Sequence, residues 1–536
     1  MIRMELKKKI GQMMVIGFDG KTVPENVREL IHEYHIGSII LFGRNIGSPK
    51  EVLALTSDLQ NEAKKAGYSH PLLICTDQEN GVVRRLGEGA TMFPGAMSLG
   101  AAGKEENAYQ IGYASALELK SLGINWNLAP VLDVNNNPEN PVIGVRSFGE
   151  SSEMVSAFGR ASMKGMQAAG IATTLKHFPG HGDTNIDSHK DLPTIAHDME
   201  RLNQVELKPF KDSIQDGADT IMTAHVYFPA IENEAGRPAT ISKKVITGLL
   251  RGELGFNGVV TTDCLEMNAI SQTLGVERGG VEAVKAGVDL IMVSHRYNWQ
   301  VSTLKEIIRS VETGEIDELI IDEALSRIHE LKKKYLSSWN DIPSDLKVPD
   351  TVGCKEHEAL AYNVYKQSVT LVKNKGILPL STEKNHRIAV FYPEKNNTMA
   401  VEDKRYSSFD LGGVIQEFNP AADVYPFKND LLAEELDELV QKESQYDTII
   451  VGTLSAFPGS SQVALIEKLY ENGCSIVVIG MRSPYDLAYL PDVDAYLNTY
   501  EFTCQALKAA VGAVFGKGTV SGKLPVTLPS KVSRST

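Results

Sequence analysis

Short apolar runs alternate with amphipathic stretches from the N-terminus to about Tyr335. The runs occupy positions 13–18, 38–42, 72–76, 124–131, 171–175, 219–223, 258–262 and 289–293. Each has the length of a strand buried on both faces. Between them, 50–66, 106–122, 152–169 and 243–254 have helical period. Several such stretches stop at a glycine (Gly67, Gly123, Gly170, Gly255, Gly287), the residue that accepts the left-handed conformation closing a last helical turn. Eight strand–helix alternations predict a (β/α)8 TIM-like barrel over 1–336. A large doubly wound sheet is the alternative, and the count of eight favours the barrel. A polar stretch with Pro343 and Pro349 predicts a linker over 337–352. A second α/β pattern fills 353–536, with strands expected at 387–392, 448–453, 475–479 and 495–498 and helices at 356–368, 431–442, 462–471 and 503–515. This pattern predicts a smaller αβα sandwich.

The basic start and short apolar run of 1–27 raise the question of a signal peptide. The run is brief, Gly11 and Gln12 interrupt it, and Asp19-Gly20-Lys21 follows in place of a small-residue cleavage site, so it reads as the first strand of the fold. No apolar run reaches the ~18–20 residues of a membrane helix. The net charge of −14 argues against nucleic acid or an anionic membrane as partner. Five widely spaced cysteines without a CxxC pair are read as reduced thiols of a cytoplasmic protein.

In a barrel, reactive groups gather where strands end. Those positions hold Asp77, Asp133, Lys176 with His177, His225, Asp263 and His295, and Arg146 sits in the long loop after the fourth run. Taken singly, each has an ordinary explanation. Asp263 could cap the next helix, His225 could be a satisfied core histidine, and Arg146 could be a surface ion-pair partner. The loop from His177 to His189 is less easily explained. It concentrates His177, His181 and His189 with Asp183, Asp187, Gly180 and Gly182, a composition unlike that of a solvent-facing connection.

KHFPGHGDTNIDSHKDLP, from Lys176 to Pro193, resembles the signature loop of family 3 glycoside hydrolases of the bacterial β-N-acetylglucosaminidase (β-N-acetylhexosaminidase) type. DQENG at Asp77, NPVIGVRSFG around Arg146 and TTDCLEM at Asp263 follow in the family's order. In the second half, SVTLVKNKGILPL and SGKLPVTLP resemble the family's C-terminal sandwich. The resemblance implies a retaining exo-β-N-acetylglucosaminidase that needs no cofactor or metal and acts on chitin oligosaccharides or cell-wall muropeptides. It implies Asp263 as nucleophile, Asp187 and His189 as an acid/base pair, and Asp77, Arg85, Arg146, Lys176, His177 and His225 as sugar-binding groups. It also implies a second domain that supplies no acid or base. The family's D-Q-E-G-G-R-V reads DQENGVV here. Asn80 and Val82 replace a glycine and an arginine, so the subsite near the third strand is expected to differ.

Two rival readings use the same residues. A metal-dependent barrel hydrolase would draw its ligands from His177, His181, Asp183, His189 and His225. A non-catalytic sugar-binding protein would keep the fold without the reaction, although Asp263, Asp187 and His189 occurring together argues against it.

Overall fold

The computed structural model describes residues 2–187, 191–343, 346–383, 386–395, 401–406, 409–518 and 520–530. Its first half is an eight-stranded parallel sheet. The strands are β1 (Met14–Ile16), β2 (Ser38–Leu41), β3 (Leu73–Thr76), β4 (Trp126–Asn127), β5 (Ala172–Phe178), β6 (Thr220–Thr223), β7 (Val259–Thr262) and β8 (Ile291–Val293). They pair in sequence order from β1 to β7, and β8 lies beside β1. A single bridge, Thr261 to Leu290, joins the β7 side to the β8 side and closes the barrel. Seven of the eight strands fall inside the runs marked by the hydrophobic pattern; β5 extends past its run of 171–175 to Phe178, so Lys176 and His177 lie within the strand rather than after it. Every residue of the eight strands is buried.

Local signals set the helices between them. Pro49–Lys65 starts at a reciprocal cap between Ser48 and Glu51, with proline at its first position. Ser152–Ala169 starts where Ser151 Oγ accepts the Met154 amide, and it ends at Gly170 with φ 87°. The N-terminal segment differs from expectation: a helix, Ile2–Gln12, precedes β1.

The second half is a six-stranded mixed sheet of β9 (Thr370–Asn374), β10 (Ile388–Pro393), β11 (Asp423–Phe427), β12 (Thr448–Thr453), β13 (Ile476–Gly480) and β14 (Ala495–Asn498), in the order β11-β10-β12-β13-β14-β9. Only β9 runs antiparallel to its neighbour. Alternation along each strand divides the apolar side chains between two layers. Ala389, Phe391, Ile449 and Val451 pack with the helices Ala433–Val440 and Ser461–Glu471. Ile388, Val390 and Ile450 face the other way, towards the helix Cys504–Val514, in an apolar layer continuous with the barrel core. The helix Lys355–Ser368 rests on the barrel helix Ala96–Ala102. The two halves therefore share buried surface, which fixes one against the rim of the other.

Candidate active site

A cavity of about 680 Å³ opens at the C-terminal end of the barrel strands. Its base is a buried network of charges. Asp77 follows β3 directly; its Oδ1 accepts from Lys176 Nζ at 2.9 Å and its Oδ2 faces Arg85 at 3.4 Å. Glu79, two residues on, takes a bidentate fork from Arg146, with Nε and Nη2 each at 2.8 Å. Lys176 Nζ also reaches Glu79 at 2.6 Å. Burial opposes the charge on Glu79, but Arg146 and Lys176 outweigh it and hold the carboxyl well below its usual range. Burial likewise opposes charge on Lys176 and Arg146, and the carboxylates of Asp77 and Glu79 keep both cations charged beyond their ordinary limits. The sequence placed Arg146, Lys176 and Asp77 at the site. It did not single out Glu79, the anion that joins Arg146 to Lys176.

Asp133, after β4, anchors the start of the β5 loop. Its Oδ1 accepts the His177 and His181 amides at 3.2 and 2.7 Å, and its Oδ2 sits 2.7 Å from His177 Nδ1. Its burial would raise the carboxyl, yet His177, and behind it His181, bring it below the usual aspartate value. The His181 ring is buried against these groups, and desolvation pushes it down to about 4.

Asp263 follows β7, and its carboxylate borders the cavity, with Oδ1 accepting the Cys264 amide at 2.6 Å. His225, expected among the sugar-binding groups, is not among the residues lining the cavity. Its Nδ1 meets Thr240 Oγ1 at 2.7 Å and its Nε2 meets the Cys264 carbonyl at 3.0 Å. A carbonyl can only accept, so Nε2 holds the proton. His225 thus braces the turn that presents Asp263. Glu266 ties the same turn to the end of β8 by accepting the His295 and Arg296 amides at 2.7 and 3.1 Å.

Arg85, Arg146, Lys176, His177 and Asp77 join Asp263 in lining the cavity. Asp187 lies on the β5 loop away from that lining, and its backbone carbonyl accepts the Asp191 amide at 3.1 Å. His189 lies outside the described residues. Asn80 sits at φ 70°, the left-handed conformation that suits the glycine it replaces. Its side chain points to Gln78 and Ser115 rather than into the cavity.

Among the described residues, His177, His181, Asp183 and His225 of the metal-hydrolase reading are not gathered into one ligand set. His177 is held by Asp133, and His225 by Thr240 and Cys264. Asp183 instead meets His197 at 2.6 Å, with Glu206 close by and Arg201 3.3 Å from Glu206.

One wall comes from the second half of the chain. Residues 401–404 lie over the cavity. Arg85 Nη2 donates to the Val401 carbonyl at 2.9 Å, Arg405 donates to the carbonyls of Ile46 and Arg85 at 2.6 and 3.0 Å, and the Tyr406 hydroxyl donates to Arg85 O at 3.1 Å. Glu402 pairs with the buried Arg482. Gly43 permits this approach, since a Cβ there would stand 1.9 Å from an Asp403 carboxylate oxygen.

Comparison with known proteins agrees with this architecture. The glycosyl hydrolase family 3 N-terminal domain matches residues 5–331, and the family's C-terminal domain matches 369–536. Beta-hexosaminidase A of Pseudoalteromonas piscicida is 33% identical over 561 residues, covering 95% of this chain and 92% of its own. A Xylella fastidiosa beta-hexosaminidase is 36% identical over 290 residues, 53% of this chain and 83% of its own. The solved structure of a glycoside hydrolase family 3 beta-N-acetylglucosaminidase from Paenibacillus sp. str. FPU-7 is 41% identical, covers 98% of this chain and 99% of its own, and superposes with a TM-score of 0.93. The barrel, the second mixed sheet and these matches together make this chain a member of glycoside hydrolase family 3.

Proposed function

We propose that the protein is a retaining exo-β-N-acetylglucosaminidase that releases terminal β-linked N-acetylglucosamine, with Asp263 as nucleophile and Asp187–His189 as the acid/base pair. The observation carrying this reading is the Asp263 carboxylate at the end of β7, facing a cavity whose base is the Asp77–Lys176–Glu79–Arg146 network. The name of the Paenibacillus relative, similar along the full chain, points to the same sugar. Asp263 attacks the anomeric carbon while His189 gives its proton to the departing oxygen, leaving a glycosyl ester on Asp263. Neutral His189 then takes a proton from water, water attacks the same carbon, and the ester breaks with net retention. Asp187 favours the protonated imidazole that the first step needs. Asp77, Arg85, Lys176 and His177 hold the sugar hydroxyls, and Arg146 supports them through Glu79.

Chitin oligosaccharides and muropeptides are the substrates this reading admits, and turnover of N,N′-diacetylchitobiose against a GlcNAc–MurNAc disaccharide separates them. All five cysteines are free thiols, which supports a reducing compartment, the cytoplasm. Asp263→Asn is expected to cut turnover of a chromogenic N-acetylglucosaminide by several orders of magnitude while sparing sugar binding. A slow substrate with a good leaving group should label Asp263, as read by peptide mass spectrometry. Label on another carboxylate reassigns the nucleophile. His189→Ala should slow poor leaving groups far more than activated aryl ones; equal slowing removes proton donation from its role. Dialysis against a strong chelator is expected to leave turnover unchanged.

A further inference from the structure

The end of the barrel opposite the sugar cavity holds a second cavity of about 400 Å³. It lies where the chain enters β1, β2 and β3, between Gln12, His35 and His70, and the helix Glu318–Tyr335 closes it with His329 and Lys332. Lys332 is only 3% exposed, and its ammonium donates to the Gln12 side-chain oxygen at 2.9 Å. Gln12 is neutral, and its amide is committed to the His35 carbonyl at 2.6 Å. Among the described residues no carboxylate pairs with Lys332. The buried Nδ1 of His70 also lacks a hydrogen-bond partner, and the ring stands edge-on to His329 at 4.8 Å.

The charged groups around the cavity are unevenly balanced. The first helix contributes Glu5, Lys8 and Lys9. Lys9 is already neutralised by Glu318 and Asp322 at 3.1 and 2.7 Å. That leaves Glu5 as the acidic group of the lining, against Lys8, Lys332 and three imidazoles. A cation near the last turn of its helix has a favourable dipole, but that explains neither its burial without an anion nor the unpaired imidazole nitrogen beside it. A buried amine with one neutral acceptor is costly unless an anion joins it.

We propose that this cavity is a binding site for a small phosphate-class dianion, either inorganic phosphate or a phosphate monoester, held by Lys332 and by His70 Nδ1. The volume exceeds that of phosphate itself and leaves room for a small organic group beside Leu325 and Ile328. Without the anion, burial pushes Lys332 down to about 7 and lowers His35 and His70. An arriving dianion reverses this, so binding near neutral pH takes up protons.

The full-length protein is titrated calorimetrically at pH 7.5 with inorganic phosphate and, separately, with glucose 6-phosphate, each in two buffers of different ionisation enthalpy. Saturable binding with net proton uptake is expected. It should weaken at least tenfold in Lys332→Met, which keeps the side chain's length without its charge, and in Ser69→Trp, which obstructs the mouth and leaves Lys332 in place. Glucose 6-phosphate binding tenfold tighter than phosphate identifies a monoester site; equal affinity identifies a site for free phosphate. Binding that is equal in wild type and both variants, or no binding of either probe, overturns the proposal.

Discussion

At the scale of single residues, Glu79 decides whether the floor of the sugar cavity holds together. It is the shared anion of Arg146 and Lys176, and all three side chains are at most 6% exposed. Removing one member of a buried ionic set leaves the others uncompensated, at a cost of roughly 3–5 kcal/mol. Glu79→Ala should therefore lower the unfolding free energy, measured by urea titration, by that order and raise KM, because Lys176 and Arg146 lose the anion that orients them. Glu79→Gln should recover part of the stability. If Glu79→Ala leaves stability and KM unchanged, the network does not organise the cavity. His181 gives a pH-dependent counterpart. Its ring is pushed down to about 4 by burial, so between about 6.5 and 4 the unfolded chain binds a proton that the folded chain refuses. Stability should fall as pH drops through that window, by at most about 3 kcal/mol. His181→Asn should flatten this part of a stability-versus-pH curve measured by urea unfolding.

At the scale of elements, the segment 401–406 meets the barrel through backbone carbonyls, so either partner can loosen it. Arg405→Ala removes its donors to Ile46 and Arg85, and Gly43→Val pushes from the opposite side against Asp403. Both are expected to raise KM for a disaccharide several-fold and to leave kcat for an activated aryl glycoside within about twofold of wild type. Loss of aryl turnover in either variant would give this segment a chemical role and contradict a second domain without an acid or base.

The same elements show what could be read in advance. Strands buried on both faces announce themselves as short apolar runs, which makes the positions of β1 to β8 legible; the end of β5 is not, because Lys176 and His177 continue the strand with polar side chains. The helix Ile2–Gln12 was hidden because its basic exterior adjoins the apolar run of β1. Its buried positions, Leu6 and Ile10, do have helical spacing, and Gly11 lets it lie against the Tyr34 carbonyl. Strand β11 was missed because it contains Pro426, which an edge strand tolerates. At the site, polar residues at strand ends were legible one by one. Pairings such as Glu79 with Arg146, and the arrival of 401–404 from the other half of the chain, depend on tertiary approach that leaves no local signal.

At the scale of the whole molecule, the barrel has one end built around paired charges and another built around a charge unpaired among the described residues. Lys332, pushed down to about 7 by burial, is largely uncharged in the folded chain above that pH but still charged in the unfolded chain up to its ordinary range. The folded state should thus gain stability as pH rises from about 7 towards 10. Lys332→Met should remove this dependence and stabilise the protein at pH 7, by an amount of up to about 4 kcal/mol, measured by urea unfolding in anion-poor buffer. Unchanged stability in the variant would mean that water or rearrangement already solvates the amine. The wall at 401–404 has a different consequence. The Xylella relative's match takes up 83% of its own length and only 53% of this chain, so a chain built mostly from about half of this architecture carries the beta-hexosaminidase name. On the proposed assignment, Asp263 sits on the barrel while residues 401–404 reach the same cavity from the second half, so the bond-breaking groups and the surface above them lie on different halves of the chain. Selection, or a protein engineer, can exchange the covering piece and retune which leaving groups are admitted, while the machinery beneath stays untouched.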